Sequence, residues 1–516
     1  MNLPPFSTEP ALDFSIPANQ EAMRAALRQM EGRLGEDYPL VIGGRRVGST
    51  EQIISVNPAH PDQVVGRHAA AQLEHVEEAL AAGWQAFPEW SRTPVEERAA
   101  VLVRAAELVR RRRHELAAVM VYEVGKPWDE ADGEAAEAVD LMEWYARQAL
   151  QFAAGDRTAP IAGEITQFRY IPLGVGAVIS PWNFPVALTT GMTTAALVAG
   201  NCVVLKPANT ACTTAAFLVR IWEDAGLPPG VINLLTGRGS LVGDPLVDHS
   251  QTRFVAFTGS REVGVRINER AARVHPGQRW LKRVQLEMGG KNAVVVDETA
   301  DLDRAARDIA ISAFGFQGQK CSAGSRAVVV QEVYNQLLTK VLDRVREIRL
   351  GDPVDPEVTM GPVVDSAAEE KILDYVEVGK HEGELVLGGR KPPGEGYYIE
   401  PTVFSGVRAE ARIAQEEIFG PVLAVMPARD FEDGIRIANS TEYGLTGSYF
   451  SRDPERIAFA KERIHVGNLY VNRKSTGALM GVHPFGGFNM SGTDTKAGGP
   501  DYLLFFMQGQ SIAERL

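Results

Sequence analysis

The chain has 516 residues, 45% of them apolar and 23% charged, enough for two or three domains with substantial cores. A net charge of −13 argues against nucleic acid and against an anionic membrane surface as partners. Three cysteines make no disulfide framework and point to a reducing cytoplasm, and the first seven residues lack the pattern of a signal peptide.

Residues 1 to about 38 read as an arm with one amphipathic helix, its apolar positions Met23, Leu27, Met30 and Leu34 at helical spacing. A strand signal follows at Leu40–Ile42. Thr93-Pro94-Val95-Glu96 reads as a capping box that opens a long helix, with Arg110 to Arg113 as a solvated face on it. From Tyr170 to Leu205 there is no charged residue, but Pro172, Pro181, Pro185 and Asn183 interrupt the run. Its β-branched ends, 175–179 and 203–205, flank an Ala/Thr-rich middle, the pattern of buried parallel strands joined by a helix rather than of a membrane span. Strand-like runs end at Ser180, Pro207, Gly237, Ser260 and Glu287, separated by helix-length segments. Such repeats form a parallel sheet with right-handed crossovers. A second alternating region runs from Asn292 to about Gly481, so the expectation is a two-lobed α/β protein.

Ligands of doubly wound sheets bind at the carboxyl ends of the strands. The turn from Gly237 to Gly243 has one residue too many for a dinucleotide fingerprint and on its own is a tight turn. Gly259 and Ser260 open a helix, whose free N–H groups suit a phosphate, and Lys206 can donate to ribose hydroxyls. Cys321 lies among small and polar residues. Gly315 and Gly318 give a substrate room, and Lys320 supplies a charge that favours thiolate. Cys202 and Cys212 sit in apolar surroundings and read as packing residues. Glu287 precedes two glycines, which places its carboxylate in a cleft, with pairing to Lys291 or Arg283 as the alternative. Asn183 offers an amide to an oxyanion. Together these describe a thiolate attacking an aldehyde, hydride loss to a nicotinamide, and release of the acid by water that Glu287 activates. No metal is expected.

Asn183 in PWNFP, Lys206 in KPA, Glu287 in LEMGGK, Cys321 in GQKCSA, Glu417 and Phe419 in EEIFGP, and PFGG at 484–487 resemble the signature of the aldehyde dehydrogenase superfamily, in order along nearly the whole chain. The resemblance implies a Rossmann-type parallel-sheet cofactor domain (1–157 and 171–288), an α/β catalytic domain (289–482) and an oligomerisation segment (158–170 with 483–516). It implies catalytic roles for Cys321, Glu287 and Asn183. It implies cofactor contacts at Ser180, Pro181, Trp182, Lys206, Ala208, Asn209, Gly237, Gly239, Gly243, Phe257, Thr258, Gly259, Ser260, Met288, Gly289, Glu417 and Phe419. Glu417 would hold the nicotinamide ribose and Phe419 would touch the ring.

Within the family, the chain is most similar to the branch that oxidises L-glutamate γ-semialdehyde, the open form of Δ1-pyrroline-5-carboxylate, to L-glutamate in proline catabolism. The arm, the spelling GFQGQKCSA, Thr476-Gly477-Ala478 and Ser491-Gly492-Thr493 carry that likeness. Gly477, Ala478 and Ser322 are then expected to hold the substrate carboxylate, Glu137 the ammonium, and Phe184 and Phe485 the aliphatic chain. For Glu137 the alternative is a solvated acid on an acidic helix. Two positions depart from the family pattern: Met192 stands where many relatives have lysine, and Asn209 where glutamate is usual. The second leads us to expect NADP to be tolerated beside NAD. A homo-oligomer built on dimers, a separate proline dehydrogenase as partner and a cytoplasmic location complete the expectation. The alternatives are another semialdehyde such as succinic, a coenzyme A-acylating relative, and a non-catalytic binding or structural protein.

Overall fold

The computed structural model describes residues 3–154 and 158–516; the expected domain limit at residue 157 and the first two residues of the arm lie outside the described residues. The charge-free stretch becomes the centre of the first sheet. Val175–Ser180 and Cys202–Pro207 pair in parallel with every residue buried, and the helix Ala187–Val198 packs on them. A strand covered on both faces disfavours charge, and the first charged residue, Lys206, comes only at the carboxyl end of the second strand. No helix among the described residues is long and apolar enough to cross a membrane.

Phe254–Thr258 and Arg283–Glu287 extend the sheet in parallel on one side, and Ile232–Leu234 on the other. The antiparallel hairpin Leu40–Ile42 and Arg45–Val47 closes the second edge. The third strand stops at Leu234, short of Gly237, because Thr236 bonds instead to Ala69 O (2.6 Å) and receives Ala71 N–H (2.7 Å). With Val175–Ser180 central, its successors lie on one side and Phe254–Thr258 on the other, so its carboxyl end is a topological switch point.

A second seven-stranded sheet spans residues 293–471, six strands parallel and Glu384–Leu387 antiparallel at one edge. Val294 and Val295 enter different cores on its two faces, as a period of two requires. Glu164–Pro172 and Met507–Arg515 form a separate antiparallel ribbon, nine residue pairs long. The preceding turn Tyr502–Phe506 packs into the core of the first lobe rather than into the ribbon.

In the arm, Pro17–Glu31 is the expected helix and buries Met23, Leu27 and Met30, while Leu34 lies beyond its end. The long helix begins at Val95 with Pro94 as its cap. Thr93 was expected to cap it, but its Oγ1 donates back to Glu89 O at 3.2 Å. The solvated arginine face is also corrected. The helix breaks at Arg112, and Arg113, 6% exposed, donates to Asp132 Oδ2 at 2.7 Å. Arg110 Nε donates to Glu9 Oε2 at 2.9 Å. These arginines fasten the arm to the helix Trp128–Ala153, and removing one partner of the buried pair costs about 3–5 kcal/mol.

Candidate active site

The helix Leu302–Phe314 stops at Gly315, and the chain turns through Phe316, Gln317 and Gly318 with φ of 48°, 57° and 68°. Two of these residues carry side chains, so the turn stores about 1–3 kcal/mol of strain at each. Outside groups hold it. Gln317 Nε2 donates to Gly125 O (3.0 Å) and Pro362 O (2.7 Å), and Gln319 Oε1 accepts from Val364 N (2.9 Å). Asn292 Nδ2 donates to Cys321 O (2.7 Å) and Ala323 O (2.8 Å), while its Oδ1 accepts from Thr446 N (2.9 Å). Cys321 is thereby set, part-exposed, on a cleft of about 460 Å³ between the two sheets.

Lys320 does not serve the thiol as expected. Its Nζ donates to both Glu130 oxygens, at 2.6 and 2.7 Å, so its charge is already paired. Burial, and then the Glu417 and Glu287 carboxylates, push the Cys321 thiol up to about 12. Cys202 and Cys212 are buried in the first lobe and play no part in the cleft.

Asn183, 5% exposed, donates from Nδ2 to Gln319 O at 3.0 Å, which fixes its amide beside the loop that carries Cys321. Glu287 ends its strand with Oε2 accepting from Gly487 N at 3.3 Å and with Oε1 buried and unpartnered. Burial raises its carboxyl well above the ordinary value. Neither cation proposed as its partner pairs with it. Lys291 Nζ has no partner, and Arg283 donates to the carbonyls of Leu504, Phe505 and Met507.

The cleft is lined by Ser180, Pro181, Trp182, Lys206, Ala208, Gly239, Gly243, Phe257, Thr258, Gly259, Ser260, Met288, Gly289, Glu417 and Phe419, together with Asn183 and Cys321. Asn209 and Gly237, expected here, do not line it. A Cβ on Gly237 would lie 2.3 Å from Val242 Cγ2, so this glycine serves packing. Asn209 opens a short turn with its Oδ1 buried and unpartnered.

Ser260 caps the helix Arg261–Ala271, its Oγ accepting from Val263 N at 3.4 Å, and that helix end opens onto the cleft. Lys206 Nζ reaches Pro207 O at 3.0 Å, and burial lowers its pKa. Glu417 enters the cleft against bare backbone. A Cβ on Gly289 would stand 2.2 Å from Glu417 Oε2, and Oε1 accepts from Gly290 N at 2.9 Å. Phe419, with φ 61°, sets its ring edge-on to Trp182 at 5.6 Å. Met192 is buried and accepts from Thr258 Oγ1 at 3.5 Å, so no lysine amine stands there. The sequence reading missed Val263, Arg266, Ile267 and Lys371 on this wall. Val263 and Ile267 follow Ser260 at helical spacing, a signal that was available. Amide donors at a helix end, an apolar wall and a carboxylate at the inner end fit a dinucleotide.

The residues expected to hold the substrate do not line this cleft. Ser322 is 8% exposed, and its carbonyl accepts from Ser475 Oγ at 3.2 Å, which ties the loop to the segment bearing Gly477 and Ala478. Gly477 has φ 75°, and Arg473 Nη2 donates to its carbonyl at 2.8 Å. Phe485 and Ala497 exchange backbone hydrogen bonds of 2.9 and 2.7 Å. Phe184 lies 4.0 Å from Lys126 Nζ and edge-on to Phe316 at 6.4 Å.

Glu137 is no solvated acid: burial, then Glu134, push its carboxyl up to about 8, with Lys126 opposing. Lys126 and Glu134, fully buried and paired with each other, are functional candidates that sequence reasoning missed. Glu134 Oε1 accepts from Val186 N (2.6 Å) and Ala187 N (3.0 Å), just beyond Phe184. Three glutamates at 130, 134 and 137 on one helical face were the sign.

A doubly wound sheet whose switch point faces a cysteine from a second α/β lobe marks the thiol-dependent dehydrogenases as a class. The chain belongs to the aldehyde dehydrogenase family, whose model matches residues 46–512. It is 54% identical over 510 residues to a 1-pyrroline-5-carboxylate dehydrogenase of Geobacillus sp. (strain WCH70), covering 99% of each chain. A crystal structure of 1-pyrroline-5-carboxylate dehydrogenase from Thermus with bound NAD superposes with a TM-score of 0.98 at 50% identity, over 100% of both chains. Proline utilization A from Bdellovibrio bacteriovorus, inactivated by N-propargylglycine, superposes with a TM-score of 0.97 at 44% identity; the match covers 99% of this chain and 53% of that one.

Proposed function

We propose that the protein oxidises L-glutamate γ-semialdehyde to L-glutamate with NAD, tolerating NADP, as a step of proline catabolism. One observation carries the chemistry: Asn183 from the first lobe and Cys321 and Glu417 from the second line a single cleft, and the buried Glu287 carboxylate stands near enough to act on the Cys321 thiol. The full-length relatives named 1-pyrroline-5-carboxylate dehydrogenase support the substrate, and the NAD in the Thermus structure supports the cofactor.

The Cys321 thiolate forms a C–S bond to the aldehyde carbon, and the carbonyl oxygen takes the charge. Asn183 Nδ2 and the Cys321 N–H stabilise that oxyanion. When bound, the nicotinamide supplies the hydride acceptor that converts the adduct to a thioester. Glu287 then takes a proton from water, the oxygen adds to the acyl carbon, and the C–S bond breaks to release the acid. Its raised pKa makes its ionised form a stronger base for this step. Glu417 and Lys206 hold the riboses, and the helix end at Ser260 takes a phosphate. Gly477, Ala478 and Ser322 receive the substrate carboxylate, Glu137 the ammonium, and Phe184 and Phe485 the chain between.

The first sheet with the arm is the cofactor domain, the second the catalytic domain, and the ribbon Glu164–Pro172 with Met507–Arg515 joins subunits of a dimer-based oligomer. The substrate comes from a separate proline-oxidising enzyme, in the cytoplasm. NADH absorbance with glutamate, succinic and propionic aldehydes tests the reading. Equal or lower kcat/KM for glutamate semialdehyde refutes the substrate. Turnover surviving in Cys321→Ala refutes the mechanism.

A further inference from the structure

The arm is an element that the catalytic chemistry leaves unexplained. Residues 3–16 run along the helix Trp128–Ala153 without regular structure of their own. Glu9 N donates to Asp140 Oδ1 (2.6 Å), Leu12 N to Asp132 Oδ2 (2.8 Å), and Arg147 Nε to Pro4 O (3.0 Å). An irregular segment needs such partners, because it has no regular ladder to pair its own backbone groups. Near its start, Phe6 stands edge-on to Trp144 of the same helix, ring centroids 5.2 Å apart.

The two rings close on Gly481. A Cβ there would lie 2.7 Å from Trp144 Cε3 and 2.9 Å from Phe6 Cε1, and the residue has φ 73°. Conformation and space both require glycine, so the backbone at 481 is gripped rather than merely covered. Gly481 lies in the loop between Ala478 and Phe485. Its N–H donates to Gly498 O at 3.1 Å, and Gly498 N donates in turn to Tyr145 OH at 3.0 Å, again from the helix Trp128–Ala153. One helix therefore holds both the loop and the arm that presses on it, and Phe6 supplies the outer jaw.

We propose that the N-terminal arm is a specificity-determining element: Phe6 clamps the loop 476–484 against Trp144 and so fixes the groups that receive the charged end of the substrate. The inference rests on the assignment of that loop to the substrate. An aldehyde with no charged end, such as propanal, does not use those groups, so the clamp acts on glutamate semialdehyde and not on propanal.

Phe6→Ala, with Phe6→Leu as the conservative variant, tests this in the full chain. Hydrogen exchange of the 476–485 amides reads the clamp directly. In Phe6→Ala these amides exchange faster, and KM for glutamate semialdehyde rises about tenfold, as a small displacement of positioning groups produces. Its kcat, the KM for NAD and kcat/KM for propanal stay within about twofold of wild type, the pattern of lost ground-state binding. Phe6→Leu recovers most of the KM. Unchanged exchange overturns the clamp. Faster exchange with unchanged selectivity overturns the specificity role. Equal losses for both aldehydes show a general structural effect and overturn it as well. A wild type without preference for glutamate semialdehyde refutes the underlying substrate assignment instead, and the exchange measurement separates the two failures.

Discussion

Substituting Glu417 by glutamine should make the resting nucleophile easier to ionise. The Cys321 thiol rises from an ordinary 9.0 to about 12 through burial first, and then through Glu417 and Glu287. That difference of about three units (12 − 9.0) is about 4 kcal/mol against the thiolate. At pH 8 the reactive fraction falls from about one in ten to about one in ten thousand. Neutralising one nearby carboxylate should return about half a unit to one unit, because burial remains the larger cause. The assay is alkylation of the cofactor-free protein by iodoacetamide, followed by mass spectrometry across a pH series. The wild-type rate should still climb about tenfold per pH unit at the alkaline end of the range. The Glu417→Gln profile should lie to its acid side. A wild-type plateau below about pH 9, or coincident profiles, would show that the buried carboxylates do not hold the thiol protonated.

Glu287→Gln should keep a burst of NADH and lose steady-state turnover by about 10²–10⁴-fold, as expected when a general base is removed; loss of the burst contradicts a role confined to deacylation. Gly289→Ala places a methyl 2.2 Å from Glu417 Oε2. Its KM for NAD should rise about tenfold, and an unchanged KM would mean that Glu417 does not hold the cofactor. The Glu137 carboxyl ionises at about 8, so its charge is present above that pH and lost below it. Product inhibition by L-glutamate should therefore tighten as pH rises through 8, while inhibition by glutarate, which lacks the ammonium, should not. A pH response in Glu137→Gln like that of wild type refutes the assignment. Asn209→Glu should raise the NAD/NADP ratio of kcat/KM, and an unchanged ratio counts against any role for Asn209 in that choice.

The parallel core was legible because a strand buried on both faces must be largely apolar, as in 175–179 and 202–205. Asn183, Glu287 and Cys321 were legible for the opposite reason, each being a polar residue at a glycine- or proline-bounded strand or helix end. What local sequence does not encode is the partner. Lys320 looks like a free cation beside the nucleophile until Glu130, 190 residues away in the chain, takes both of its hydrogen bonds. Arg113 looks like part of a basic face until Asp132 buries it. Gly237 resembles a cofactor glycine, yet Val242 decides its purpose. For Lys320 and Arg113 a partner on another element overrides the neighbourhood that the eye reads along the chain, and for Gly237 the packing of a nearby side chain does.

The left-handed turn through Phe316, Gln317 and Gly318 has a consequence for engineering. Glycine at 316 or 317 would relieve about 1–3 kcal/mol of backbone strain, yet at 316 it would delete a buried ring packed on Trp182 and Phe184, worth about 3–5 kcal/mol, and at 317 the buried amide that binds Gly125 and Pro362. Heat resistance and turnover therefore both hold these two positions to their large side chains, against the preference of the backbone. A library selected for thermostability should leave phenylalanine and glutamine in place there and draw its gains from elsewhere in the fold.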